Sequence, residues 1–174
     1  IETWTTISYE ITYNLDGGTN ASANPATYTI ESEAITLADA SKTAFRFDGW
    51  FDAETGGNKI ETIAAGSTGA KTLYAHWTAL FTALSVTGMP TKTLYFAGEA
   101  FDGAGLTVTA TYGDGSQKTV TSYTMDLGST VCNAGKTVTI SYTEDGVTRN
   151  ATVNGTYYIA AADALTPSPV LLQG

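Results

Sequence analysis

The sequence predicts a mainly β chain built as two small domains in series, and three observations predict it. First, threonine alternates with apolar residues in runs such as Thr107-Val108-Thr109-Ala110-Thr111-Tyr112. β-branched and aromatic residues at period two fit a pleated, half-buried strand. Second, turn signals such as Asp16-Gly17, Asp114-Gly115 and Asp145-Gly146 interrupt these runs at short spacing. Third, the 174 residues are 43% hydrophobic and only 14% charged. That composition separates the chain from disordered segments, which are apolar-poor and charge-rich, and the length suits one domain or two small ones.

In the first half, Tyr9 to Leu15 reads as a strand with Ile11, Tyr13 and Leu15 on one side and Thr12 and Asn14 on the other. Asp16-Gly17-Gly18 supplies the positive-φ positions of a tight turn. Tyr28 and Ile30 mark a second strand. Ile35 to Ala40 is the one stretch that suits either a short helix or an irregular crossing. A dense aromatic patch follows, Phe45, Phe47, Trp50 and Phe51, around a glycine, Gly49, that allows close approach. Glu54 to Asn58 reads as a loop, and Ile60 and Ile63 open another strand region. Lys71 to Trp77 closes the half as a strong strand, with Leu73, Ala75 and Trp77 on one face and Tyr74 and His76 on the other. Leu80-Phe81-Thr82 is the expected join, short and fairly stiff because no Pro/Gly/Ser-rich linker is present.

The second half reads as short strands separated by turns. These are Leu84 to Thr87, Thr93 to Tyr95, Leu106 to Tyr112, the region of Val120 to Met125, Thr137 to Tyr142 and Val147 to Val153. Such spacing suggests an antiparallel sandwich. The tail from Ala160, with Pro167 and Pro169, reads as linker or as a strand completed elsewhere.

Charge and composition exclude several function classes. Lys+Arg 8 against Asp+Glu 17 gives a net charge of -9, and no basic cluster exists, so nucleic acid is not an expected partner. No apolar run is long enough to span a bilayer. Ile1-Glu2-Thr3-Trp4 lacks the basic and apolar regions of an export signal, so location is not read from it. The single cysteine, Cys132, cannot form an intrachain disulfide and reads as a small apolar residue.

Catalytic constellations are equally thin. A nucleophilic triad needs a base, and the only histidine, His76, sits on a strand at a solvent-facing position. One His and one Cys do not make a zinc site without carboxylates. Five Asp-Gly pairs, at Asp16, Asp48, Asp102, Asp114 and Asp145, leave a calcium reading open, although the spacing of an EF-hand loop is missing. Turn formation accounts for Asp16, Asp114 and Asp145. No other cofactor is expected. Phe45, Phe47, Trp50, Phe51, Tyr74 and Trp77 read mainly as core, because aromatics supply most of the burial in a small domain. Tyr74 and Trp77 are retained as candidate ligand contacts. A Lys–Asn cross-link would need a buried Lys, Asn and acid together, which sequence does not place.

The segment Tyr9 to Thr78 resembles the Listeria–Bacteroides type surface repeat, the class that includes internalin B repeats. Ile11 to Gly18, Phe47-Asp48-Gly49-Trp50-Phe51 and Thr72 to Thr78 carry the resemblance. It implies a small β-grasp-like fold that occurs in tandem on secreted bacterial proteins. Trp4-Thr5 echoes Trp77-Thr78, so residues 1–8 are expected to be the end of a preceding repeat or a linker. Leu84 to about Ala160 resembles a bacterial immunoglobulin-like domain, through Pro90 to Tyr95, Gly98 to Asp102, Gly105 to Tyr112, Asp114-Gly115-Ser116 and Lys136 to Tyr142. The expected organisation is a repeat at 9–79, an Ig-like domain at 80–160 and a tail at 161–174. Together the resemblances imply a non-catalytic module of a secreted or cell-surface bacterial protein. Its expected roles are a structural stalk, adhesion to a host extracellular protein or glycan, and contact with neighbouring repeats. The alternative is a spacer or carbohydrate-binding segment of a secreted multidomain enzyme.

Overall fold

A computed structural model describes residues 4–96, 99–126 and 135–160, and among these every regular element is a strand. Cys132 and the tail from residue 161 lie outside the described residues. The chain divides into two units, Ile1–Leu80 and Phe81–Gly174.

The first unit contains β1 (Ser8–Asn14), β2 (Thr27–Thr29), β3 (Ile35–Thr36), β4 (Phe45–Phe51), β5 (Lys59–Ile60), β6 (Thr62–Ile63) and β7 (Lys71–Ala79). Five strands form one sheet in the order β2-β1-β7-β4-β5, and β3 pairs with β6 separately. The central pair is parallel, from Ile11↔Lys71 to Asn14↔Tyr74, whereas β7 and β4 are antiparallel. Period two decides the inside: Ile11 is buried between exposed Glu10 and Thr12, and Leu73 and Ala75 are buried on β7. With Tyr28, Leu37, Ala40, Trp50 and Ile63 they form one cluster. Ile30, read from sequence as part of the second strand, instead follows β2 in a turn and is exposed.

Between Ile35 and Ala40 the irregular alternative holds. Two residues of β3 are followed by non-repetitive backbone, in which the Leu37 N–H donates to the Glu61 carbonyl (2.9 Å) and Ala38 finds side-chain partners. Asn24 donates Nδ2–H to the Ala38 carbonyl (2.9 Å) and accepts the Ala38 N–H at Oδ1 (2.7 Å), and the Trp50 indole N–H donates to the same carbonyl (2.9 Å). A helical ladder is not needed where side chains satisfy the backbone this completely.

The second unit contains β8 (Phe81–Gly88), β9 (Leu94–Phe96), β10 (Leu106–Tyr112), β11 (Gln117–Val120), β12 (Thr124–Asp126), β13 (Gly135–Glu144) and β14 (Val147–Ala160). Two sheets, β11-β10-β8 and β12-β13-β14-β9, enclose a core of Phe81, Tyr95, Phe101, Val108, Ala110, Val120, Val138, Ile140 and Val153. This is an all-β sandwich, antiparallel except where β14 runs parallel to β9 at Tyr158↔Leu94. Tyr95 is completely buried, and its hydroxyl donates to the Lys92 carbonyl (3.1 Å) and accepts the Asp102 N–H (3.1 Å). Phe81 belongs to this core and Thr82 to β8, while the Leu80 N–H donates to the Ala44 carbonyl (2.9 Å) in the first unit.

Candidate functional site

An open groove of about 850 Å3 lies in the first unit, where β1 ends while β7 continues. Asn14, Leu15 and Asp16 line one side, Glu54, Thr55 and Gly56 another, and Phe45, Asp48, Tyr74, His76 and Trp77 the rest. Both ligand contacts anticipated from sequence, Tyr74 and Trp77, line it.

Each wall has a local cause. Asp16 and Gly17 both take positive φ (45° and 80°), and Gly18 N–H donates to the Leu15 carbonyl (2.9 Å), so the chain turns sharply away from β7. The opposite wall is a loop held by Asp52. That carboxylate accepts the Asn58 side-chain amide (3.0 Å) and the Asn58 backbone N–H (2.7 Å), and these bonds lower its pKa from the usual carboxylate value. Gly56 and Gly57, both at positive φ, complete the loop. Asp48 is placed by a bulge: the β4/β7 register shifts between Phe47 and Gly49. Its Oδ2 accepts the Thr78 hydroxyl (2.6 Å) and its Oδ1 faces Arg46 (3.2 Å).

The aromatic residues divide by role. Trp77 is fixed from several sides. Its indole N–H donates to the Leu15 carbonyl (3.0 Å), Phe47 meets it edge-on (5.2 Å), and the Lys42 ammonium lies 5.8 Å from its ring. The same ammonium sits 4.3 Å from the Phe45 ring and bonds to the Asp16 carboxylate (3.1 Å). Trp50 is the only fully buried ring of the aromatic patch, and Phe45, Phe47, Phe51, Tyr74 and Trp77 are half-buried. His76, expected at a solvent-facing position, is half-buried. It stacks on Phe51 (3.9 Å, 9°) and its Nε2–H donates to the Ala53 carbonyl (3.0 Å), which draws the loop onto the strand. Tyr74 lies opposite Phe51 on β4 and Asn14 on β1, and its hydroxyl has no hydrogen bond among the described residues.

The Asp-Gly pairs serve geometry. Asp145 and Gly146 make the two-residue turn between β13 and β14, both at positive φ. Asp114 accepts the Ser116 N–H (2.9 Å) and Asp102 the Ala104 N–H (2.9 Å). Among the described residues no group of three His, Cys, Asp or Glu side chains converges on a metal-sized site, and none of the buried residues is charged. Sequence reasoning missed Asn14, Asp48, Glu54 and Thr55 as groove residues. A strand end, a bulge and a distant loop meet there, and no local pattern announces that meeting.

Residues 9–76 match the family model of the Listeria-Bacteroides repeat domain, and residues 89–154 match that of the bacterial Ig-like domain (group 3). A search of the curated proteins gave no match. Both are non-catalytic kinds of module, typical of bacterial surface or secreted proteins. The chain thus matches, in order, the Listeria-Bacteroides repeat and the bacterial Ig-like domain of group 3.

Proposed function

We propose that this chain is a non-catalytic part of a secreted or cell-surface bacterial protein, a stalk segment whose first unit also takes part in adhesion to a host extracellular protein or glycan. The observation that carries the reading is the pairing of two self-contained β units, each with its own core, whose sequences match repeat and Ig-like modules. Such units separate and present surfaces, while fold alone leaves the ligand to the site. The groove at Tyr74 is the adhesive surface in this reading, and Trp4-Thr5, the echo of Trp77-Thr78, is the end of a neighbouring repeat.

The test is binding of the purified chain to immobilised extracellular host proteins and glycans, with and without calcium. Reproducible binding to one partner is the expected result. A blank from a chain shown to be folded removes the adhesive half of the proposal and leaves the stalk.

A further inference from the structure

Resting on the adhesive reading above, we infer that the groove of the first unit takes a neutral glycan, a short run of uncharged sugar rings. Three features of the groove select that ligand class.

The first is its supply of unused hydrogen-bonding groups. The Asn14 amide, the Glu54 carboxylate, the Thr55 hydroxyl and the Tyr74 hydroxyl line the groove, and none bonds to another described residue. Together they donate and accept, as the rim of hydroxyls on a sugar ring requires. Tyr74 adds a half-buried ring for the C–H-rich face of a sugar. The volume, about 850 Å3, lies within the range of roughly 300–1,000 Å3 that small-ligand sites occupy.

The second is charge. Asp16, Asp48 and Glu54 line the groove and no Lys or Arg does. Lys42 and Arg46 offset the two aspartates from outside it, which leaves Glu54 uncompensated. Phosphorylated, sulfated and sialylated ligands would meet the like charge of Glu54, and the nearest ammonium, Lys42, is already paired with Asp16.

The third is where the exposed apolar side chains are. The large exposed hydrophobic residues of the first unit are Trp4, Ile7 and Ile30, and none lines the groove. A protein interface is centred on large apolar anchors, and the groove's own rings, Phe45, Tyr74 and Trp77, are half-buried rather than projecting.

The experiment is a titration of the purified chain with maltotriose, cellotriose, chitotriose and mannotriose, alongside sulfated and sialylated oligosaccharides. At least one neutral trisaccharide is expected to bind and the anionic set to bind more weakly. Tyr74→Ala is expected to weaken that binding about tenfold, the equivalent of one well-made contact. Because Tyr74 is half-buried, Glu54→Gln serves as a second variant on an exposed loop, and it is expected to weaken the neutral ligand. Ile30→Ser, away from the groove, is expected to change nothing. No binding by any neutral oligosaccharide overturns the inference, as does binding that both groove variants leave intact. A host protein bound equally well by both variants keeps the adhesive reading and removes the groove from it. A basic protein whose binding is lost in Glu54→Gln replaces the glycan with a cationic partner.

Discussion

Gly18 and Trp77 form a pair in which each residue requires the other. A Cβ on Gly18 would sit 2.5 Å from Cζ2 and 3.0 Å from Cη2 of the indole. The ring cannot retreat without losing its bond to the Leu15 carbonyl (3.0 Å). Gly18→Ala is therefore expected to destabilise the first unit by about 1–3 kcal/mol, as overpacking does. Urea unfolding followed by tryptophan emission reads the change, and Gly18→Ala combined with Trp77→Phe should recover part of the loss. A wild-type midpoint in the single variant would show that the ring has room to move. In the second unit Glu144 is the corresponding single residue. Its carboxylate accepts the hydroxyls of Tyr112 (2.7 Å) and Tyr142 (3.1 Å) and faces Lys118 (3.3 Å), joining the two sheets. The Tyr112 hydroxyl, first among these partners, lowers the Glu144 pKa, and in turn the pKa values of Tyr112 and Lys118 are raised. A lowered carboxylate stabilises the fold above its ordinary value of 4.5 and loses that contribution as pH falls through the folded pKa. A raised tyrosine or lysine contributes below its ordinary 10.0 or 10.5 and loses that contribution as pH rises through the folded pKa. Stability of the second unit should thus fall at both ends of the range. Glu144→Gln is expected to flatten both limbs and to cost about 1 kcal/mol at neutral pH. Unchanged limbs in that variant would assign the pH dependence to other groups.

At the scale of elements, the bulge in β4 decides which side chains the sheet displays. It places Asp48 beside Thr78 while Gly49 adopts φ 140°, and the Lys59 side chain lies across the glycine. Two causes oppose a side chain at Gly49, backbone strain and the Lys59 methylenes, and they can be separated. Because the lysine end is flexible, strain should dominate. Gly49→Ala is expected to cost about 1–3 kcal/mol, and adding Lys59→Ala should not restore it. Full recovery in the double variant would reverse that assignment. Period-two alternation made the long strands legible, with Ile11, Leu73, Val108 and Ile140 all turning inward as their neighbours turn out. The short strands were legible only in outline: β3 stayed open between helix and crossing, β5 and β6 read as one strand region, and β9 showed as a strand without its partner, the distant β14. The two positive-φ Asp-Gly turns were legible because their conformation is a property of the dipeptide. The groove was half legible: Tyr74 and Trp77 announced themselves by type. Asn14, Glu54 and Asp48 reach it through a turn, a loop and a bulge that become neighbours only in the folded sheet.

The molecule as a whole holds two clusters with no residue in common. All three tryptophans, Trp4, Trp50 and Trp77, fall within the first 80 residues, so indole emission observes one core and is blind to the other. Ile140, completely buried in the second core, offers a clean perturbation. Ile140→Ala is expected to cost about 2–5 kcal/mol. The loss should appear in the circular-dichroism transition and leave the fluorescence midpoint unchanged. A fluorescence midpoint that moves with the variant would show that the two cores unfold as one.

The parallel pairing of β1 with β7 has a mechanical consequence. These are the first and last strands of the repeat, so tension along the chain draws β1 from its N-terminal end at Ser8 and β7 from its C-terminal end at Ala79. In a parallel pair those ends lie at opposite extremes, and the load slides one strand along the other. The backbone bonds between Ile11–Asn14 and Lys71–Tyr74 then bear it simultaneously, whereas a hairpin such as β13 and β14 would open one bond at a time. In a force spectrometer, traction through Ser8 and Ala79 should meet a higher rupture force than traction through Asn14 and Ala79, which peels the same pair from one end.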